Sequence, residues 1–197
     1  FNEGLELVLG FVRDQGPLDA YDVIAIEEPF ELAIGEYTVI GLMDRVDRLD
    51  DETIEITDFK SSRLLFSRDE LASSLQLSLY TIAAQHLWPW AKNIRLTMWM
   101  LRHGLRQEAT RTPEQLEAAR EYVQAVGDQI VGATEYPART NTLCAYCEYR
   151  RHCPAYDAML KAKHEYVAEN LDDLKQVARE REEVPHERRP RAIWSSR

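Results

Sequence analysis

Between Gly41 and Lys60, apolar and polar residues alternate along two arms, Gly-Leu-Met-Asp-Arg-Val-Asp and Thr-Ile-Glu-Ile-Thr-Asp-Phe-Lys. They flank an acidic stretch, Leu49 to Glu52, that has turn chemistry. A period of two, interrupted once by turn formers, restricts this segment to an antiparallel hairpin. With the turn centred near Asp51, equal counting outward puts Asp44 roughly opposite Asp58. Facing strand residues have Cβ atoms about 4.5–5.5 Å apart, a separation at which like charges destabilise a sheet unless something compensates them. Asp58 and Lys60 share the parity of Ile54 and Ile56, so the carboxylates and an ammonium group belong to one half-buried face. A divalent cation would satisfy them. So would a structural network with Arg45, Asp47 and Arg48, and most isolated Asp-x-Lys pairs are simply solvated.

A chain of 197 residues, 45% of them hydrophobic, can bury a core as one domain with an appendage. No stretch approaches the roughly 18 unbroken apolar residues of a membrane span, and no signal-peptide pattern is visible, so no membrane association is expected and a cytoplasmic location is. The chain begins with Phe and reads as a fragment or a processed product. Its net charge of −10 is unevenly placed: residues 1–60 carry 16 acids and 4 bases, residues 61–156 carry 9 and 11, and residues 157–197 carry 9 of each. The acidic part suits cations, while a polyanion would have to lie against the later segments.

In chain order, residues 2–14 form a helix closed by Gln15-Gly16-Pro17, and Tyr21 to Leu32 a strand. Ile34-Gly35-Glu36 turns the chain into the strand Tyr37 to Asp47. Counting from Gly35 places Glu28 near Leu42 and Asp44, either as a third acid or as an exposed edge-strand residue before Pro29. Ser67 and Glu70 form a capping box for one helix from about Arg68 to Leu87, with Leu71, Leu75, Leu79 and Ile82 as its buried stripe. Gln76 and Tyr80, four apart, share an adjoining face, where such residues are usually no more than boundary positions. Strands follow at Ile94 to Arg102 and Leu105 to Thr110. A helix then starts at Thr112-Pro113 and runs to about Val131. A charged helix from Asp157 to about Glu183 suits solvent or a protein partner, and the basic end from Arg188 reads as disordered.

Cys144, Cys147 and Cys153-Pro154 make a Cys-x2-Cys-x5-Cys-Pro pattern within residues 140–156. Three clustered cysteines do not build a disulfide framework; the spacing fits metal ligation in a reducing compartment. Thiolates this close suit a soft cation or an iron-sulfur cluster. Zinc or a 4Fe-4S cluster needs four ligands, and His152 is the nearest candidate for a fourth on zinc. Inert cysteines are the alternative.

Taken in order, Gly41-x-x-Asp44, Asp58-x-Lys60 and Gln76-x-x-x-Tyr80 resemble the motifs of the PD-(D/E)XK nuclease superfamily. With the cysteine pattern they resemble its RecB-like and Cas4-like branch in particular. The resemblance covers about residues 21–156. It implies an α/β, restriction-endonuclease-like core, a central mixed β-sheet flanked by helices, in a domain spanning residues 1–156, with residues 157–197 as a charged tail.

It also implies that Asp44, Asp58 and the Phe59 backbone carbonyl hold Mg2+ or Mn2+, that Lys60 is the catalytic lysine, and that Gln76 and Tyr80 line the DNA side of the site; Glu28, placed by the register count, is a supporting candidate. Cys144, Cys147 and Cys153 match three of four ligands of a 4Fe-4S cluster, with Zn2+ as the alternative. The fourth cysteine of such relatives, and a metal-binding histidine on an early helix, would both precede Phe1.

The implied activity is a DNA exonuclease, acting on single strands or duplex ends, of the kind used in DNA repair. Arg63, Arg95, Arg102, Arg150 and Arg151 are candidate phosphate contacts. The alternative is a catalytically inactive nuclease-fold subunit that binds DNA or acts as a scaffold in a repair or recombination complex. A zinc-stabilised interaction domain with no nucleic-acid role is a weaker third.

Overall fold

The computed structural model describes residues 2–173, 175 and 176. Two compact units divide the chain, Phe1–Ala133 and Thr134–Arg197. The first is built on a five-stranded sheet in the order β1-β2-β3-β4-β5, with β1 at Asp22–Ile34, β2 at Tyr37–Arg48, β3 at Thr53–Lys60, β4 at Asn93–Met100 and β5 at Leu105–Ala109. Only the β3–β4 pair is parallel, so the sheet is mixed. That parallel step needs a crossover, supplied by α2 (Arg68–Ala72) and α3 (Leu75–Leu87). Helix α1 is Asn2–Gln15 and α4 is Pro113–Gly132.

The β1–β2 hairpin turns at Gly35, whose φ of +60° is a conformation few other residues adopt without strain. The β2–β3 turn is closed by Leu49 N–H donating to Thr53 O at 2.9 Å and Glu52 N–H to Asp50 Oδ1 at 2.8 Å. It brings Arg45 opposite Thr57, the register that equal counting from Asp51 requires. The side-chain alternation of β3 then sends neighbouring residues to opposite faces. Phe59 meets Phe11 of α1 and Trp99 of β4, with ring centroids 5.2 and 5.8 Å apart. Ile54, Ile56 and Asp58 face the other way, in a core shared with Leu77, Tyr80 and Ile82 of α3.

The α1 side also carries a polar layer. Arg45 pairs with Asp47 at 2.7 Å, its guanidinium lies over the Tyr21 ring at 4.5 Å, and Thr97 donates to Glu55 at 2.7 Å.

Three expectations change. The helix expected from Arg68 to Leu87 is broken at Ser73–Ser74. Ser74 caps α3, and the Arg111 guanidinium takes the Leu71 carbonyl, which a continuous helix would have used internally, at 2.6 Å and shares the Ser74 carbonyl, at 3.2 Å, with the Ser78 N–H. Tyr80 is not a boundary residue but is 5% exposed. The C-terminal helix α5 is Pro154–Glu169, starting earlier than expected and stopping where Asn170 donates to the Tyr166 carbonyl at 2.8 Å. Beyond Asn170, residues 171–173, 175 and 176 are helical again, and residues 177–197, including the end of the expected 157–183 helix and the basic end, lie outside the described residues.

In the second unit, residues Thr142–Tyr146 and Glu148–His152 form two short 3-10 turns around the cysteines. No helix among the described residues is long and apolar enough to cross a membrane.

Candidate active site

At the end of the β2–β3 ladder the backbone rungs give way to side chains. The last rung is Arg45–Thr57, and one step further the Asp44 carboxylate accepts the Phe59 N–H at 2.8 Å. Asp44 is thereby held beside Asp58, and both negative charges act on the same Tyr80 phenol.

Asp58 is 3% exposed and surrounded by polar partners. Its Oδ1 accepts from Gln76 Nε2 at 2.8 Å and from the Tyr80 hydroxyl at 3.1 Å. Lys60 Nζ lies 2.6 Å from Oδ2 and donates to Gln76 Oε1 at 3.2 Å. Although the ammonium is close, Oδ2 receives no aligned hydrogen bond from any group. The Tyr80 hydroxyl also sits 3.0 Å from the Leu42 carbonyl of β2 and 2.7 Å from Gln76 Nε2. Burial pushes the Tyr80 phenol well above its ordinary range, and the charges of Asp58 and Asp44 push it further, so it remains a protonated donor at working pH. An open cleft of about 380 Å3, lined in part by Phe30, Gly41, Leu42, Gln76 and Tyr80, leads to this cluster.

Asp44, Asp58, Lys60, Gln76 and Tyr80 thus converge from three elements. Glu28 is placed differently: it pairs with Met43, the residue between Leu42 and Asp44, and takes no part in the hydrogen bonds around Asp58. Arg102 donates to Ser61 O at 2.6 Å and pairs with Glu3, which also meets Arg63 at 3.1 Å. These two arginines are engaged with α1, while Arg95 is exposed.

The donor set at Asp44 and Asp58 fits a hard divalent cation, since one buried carboxylate oxygen lacks an aligned donor and all available atoms are oxygens. The cysteines are less complete. Cys144 Sγ accepts from Asn141 N–H at 3.3 Å and Cys147 is exposed. No group of three or more His, Cys, Asp or Glu side chains among the described residues is arranged to hold a metal ion. The three thiols as they stand therefore do not make a ligand set for zinc or an iron-sulfur cluster. The sequence reading also passed over Leu42, whose contribution is a backbone carbonyl, and Phe30, whose signal was the glycine opposite it in β2.

The mixed five-stranded sheet flanked by helices is consistent with a restriction-endonuclease-like fold, and it gathers two acids, a lysine and a glutamine at the end of a hairpin. The chain belongs to the PD-(D/E)XK nuclease superfamily, whose family model matches residues 5–154. Membership suggests a nuclease, and such enzymes typically use Mg2+ or Mn2+. No curated protein matches the chain. Among solved structures, the crystal structure of SSO0001 is similar, with 20% identity over 79% of this chain and 69% of that one, at a TM-score of 0.47.

Proposed function

We propose that this chain is a metal-dependent deoxyribonuclease with Asp44 and Asp58 as its cation ligands and Lys60 as its catalytic lysine, acting as an exonuclease on single strands or duplex ends. The observation that carries this reading is the convergence of Lys60, Gln76 and Tyr80 on a buried Asp58 whose Oδ2 has no aligned donor. Asp44, Asp58 and the Phe59 carbonyl would hold Mg2+ or Mn2+, which when bound supplies charge neutralisation at the phosphate and acidifies a water.

Tyr80 and Gln76 fix Oδ1, leaving Oδ2 as the face of the carboxylate turned to a ligand. Lys60, 27% exposed at its side chain, reaches from the cluster towards solvent and can orient a water or meet charge growing on a phosphate oxygen. Asp58→Asn and Lys60→Ala should each abolish Mg2+- or Mn2+-dependent cleavage of end-labelled DNA without unfolding the protein, and full activity in either would refute the assignment. Cleavage of closed circular DNA as fast as linear DNA would refute exonuclease action.

The Cys-x2-Cys-x5-Cys-Pro spacing supports a further soft-metal or iron-sulfur site at Cys144, Cys147 and Cys153, completed by a ligand outside the described residues. Iron and sulfide in the purified protein would support a 4Fe-4S cluster, stoichiometric zinc would replace it, and neither metal would remove the site.

The alternative of an inactive DNA-binding or scaffold subunit is favoured by one observation: among the described residues no third His, Cys, Asp or Glu side chain joins Asp44 and Asp58 at the site. Salt-dependent DNA binding without cleavage across several divalent metals would select it.

A further inference from the structure

Phe30 and Gly41 face each other across the β1–β2 ladder, and the Phe30 ring lies over the glycine backbone. A Cβ placed on Gly41 would come within 2.6 Å of Phe30 Cε1 and closer still to Cζ. The ring is also in contact with Tyr80, edge to face, with centroids 5.9 Å apart and an interplanar angle of 88°. Both rings are buried, at 8% and 5% exposure. A side chain at position 41 would therefore have to displace the Phe30 ring from its place over the strand and so from its edge-to-face contact with Tyr80.

Tyr80 is the group whose single hydroxyl proton is shared between two acceptors, the Leu42 carbonyl of β2 at 3.0 Å and Asp58 Oδ1 of β3 at 3.1 Å. It does so beyond the last rung, Arg45–Thr57, where the β2–β3 ladder has ended. We infer that Gly41 and Phe30 are positioning residues for the cation site: the ring resting on Gly41 wedges Tyr80 into the place where its hydroxyl straps the two carboxylate-bearing strands, and so sets the spacing of Asp44 and Asp58. The inference rests on the metal-dependent reading proposed above.

The test is Mn2+ binding by the full chain, measured by calorimetry without DNA, alongside thermal melting. Asp58→Asn should abolish binding and so mark the site. Phe30→Val should weaken Mn2+ binding about 10-fold, as removal of a group that orients a ligand does. Gly41→Ala should weaken it similarly and lower the melting temperature. The double variant Gly41→Ala/Phe30→Val should melt above Gly41→Ala, because alanine opposite valine is an ordinary cross-strand pair, while its Mn2+ binding stays weak. Tyr80→Phe keeps the ring contacts, loses the strap together with the Gln76 contact to the hydroxyl, and should weaken Mn2+ binding at least to the same degree.

Wild-type Mn2+ affinity in Tyr80→Phe overturns the inference however well the Phe30 variant folds, and so does wild-type affinity in Phe30→Val. A double variant melting no higher than Gly41→Ala overturns the steric part. Unchanged Mn2+ binding in Asp58→Asn overturns both this inference and the metal-dependent reading, whereas the other failures leave that reading standing.

Discussion

Gln76 holds Asp58 and answers to Lys60 with one amide: its nitrogen donates to Asp58 Oδ1 at 2.8 Å, and its oxygen accepts from Lys60 Nζ at 3.2 Å. A single side chain on α3 therefore orients the acid and the base-side ammonium of β3 together. Replacing it tests both contacts. Gln76→Ala removes a hydrogen bond to a charged group, worth about 1.5–3 kcal/mol, and should lower kcat/KM about 10- to 100-fold if the geometry is needed in the transition state. Gln76→Glu keeps the acceptor for Lys60 but puts a second negative charge against Asp58. Steady-state kinetics should show it more impaired than the alanine variant.

Lys60 neutralises a carboxylate whose side chain is only 4% exposed. In Lys60→Ala that charge loses its counter-ion, which destabilises the metal-free protein. A divalent cation should then raise the melting temperature more in Lys60→Ala than in the wild type, because it restores the missing positive charge. Equal shifts in the two proteins would mean that Lys60 and the cation do not share Asp58.

Asp47, 2% exposed, has its carboxyl pushed above its ordinary 3.8 chiefly by burial. The hydrogen bond and charge of Arg45 oppose that rise, Glu55 adds to it and Arg106 opposes it. An acid with a raised folded-state value binds its proton more tightly folded than unfolded. Its contribution is therefore favourable below 3.8 and is lost as pH rises through the raised value. The melting temperature of the wild type relative to Asp47→Asn should fall from acid pH towards neutrality, and thermal scans across that window should show this sign.

Arg111 donates to Ser78 Oγ at 2.9 Å and to the carbonyls of Leu71, Ser74 and Thr110. Arg111→Ala removes the guanidinium that ties Leu71, Ser74 and Ser78 together at the α2–α3 break, leaving the two carbonyls only their local N–H donors, at a cost of about 1–3 kcal/mol. Because α3 carries Gln76 and Tyr80, both melting temperature and cleavage should fall. Arg111→Lys, a single point charge in place of a planar fork, should recover little of either.

The hairpin and its acids were legible because the information is local. A period-two pattern and a four-residue turn determine which residues face each other, and Asp44 beside Asp58 followed from counting. Glu28 shows where counting fails. The β1–β2 hairpin pairs Ile34 with Tyr37, so its centre lies between Gly35 and Glu36 and not on Gly35, and this half-step puts Glu28 opposite Met43. Because side chains alternate along a strand, a one-residue error in the turn centre changes which partner and face are assigned. The broken helix failed for another reason. Ser73 and Ser74 are tolerable in a helix, and the break is fastened by Ser74 capping α3 and by a guanidinium arriving from Arg111, a contact no local pattern announces.

What the amino-acid order determined by itself was the set of groups and the strands that bear them: two acids and a lysine at hairpin spacing, a glutamine and a tyrosine four apart, and three cysteines in a short loop. Only the tertiary structure decided that Tyr80 is buried, that Gln76 and Tyr80 reach the same oxygen of Asp58, and that Phe30 lies over Gly41. Those relationships join residues 18 to 22 positions apart, or cross from one strand to another, and depend on how α3 packs over the sheet. Side-chain alternation assigns a face to each residue; packing between elements assigns it a neighbour.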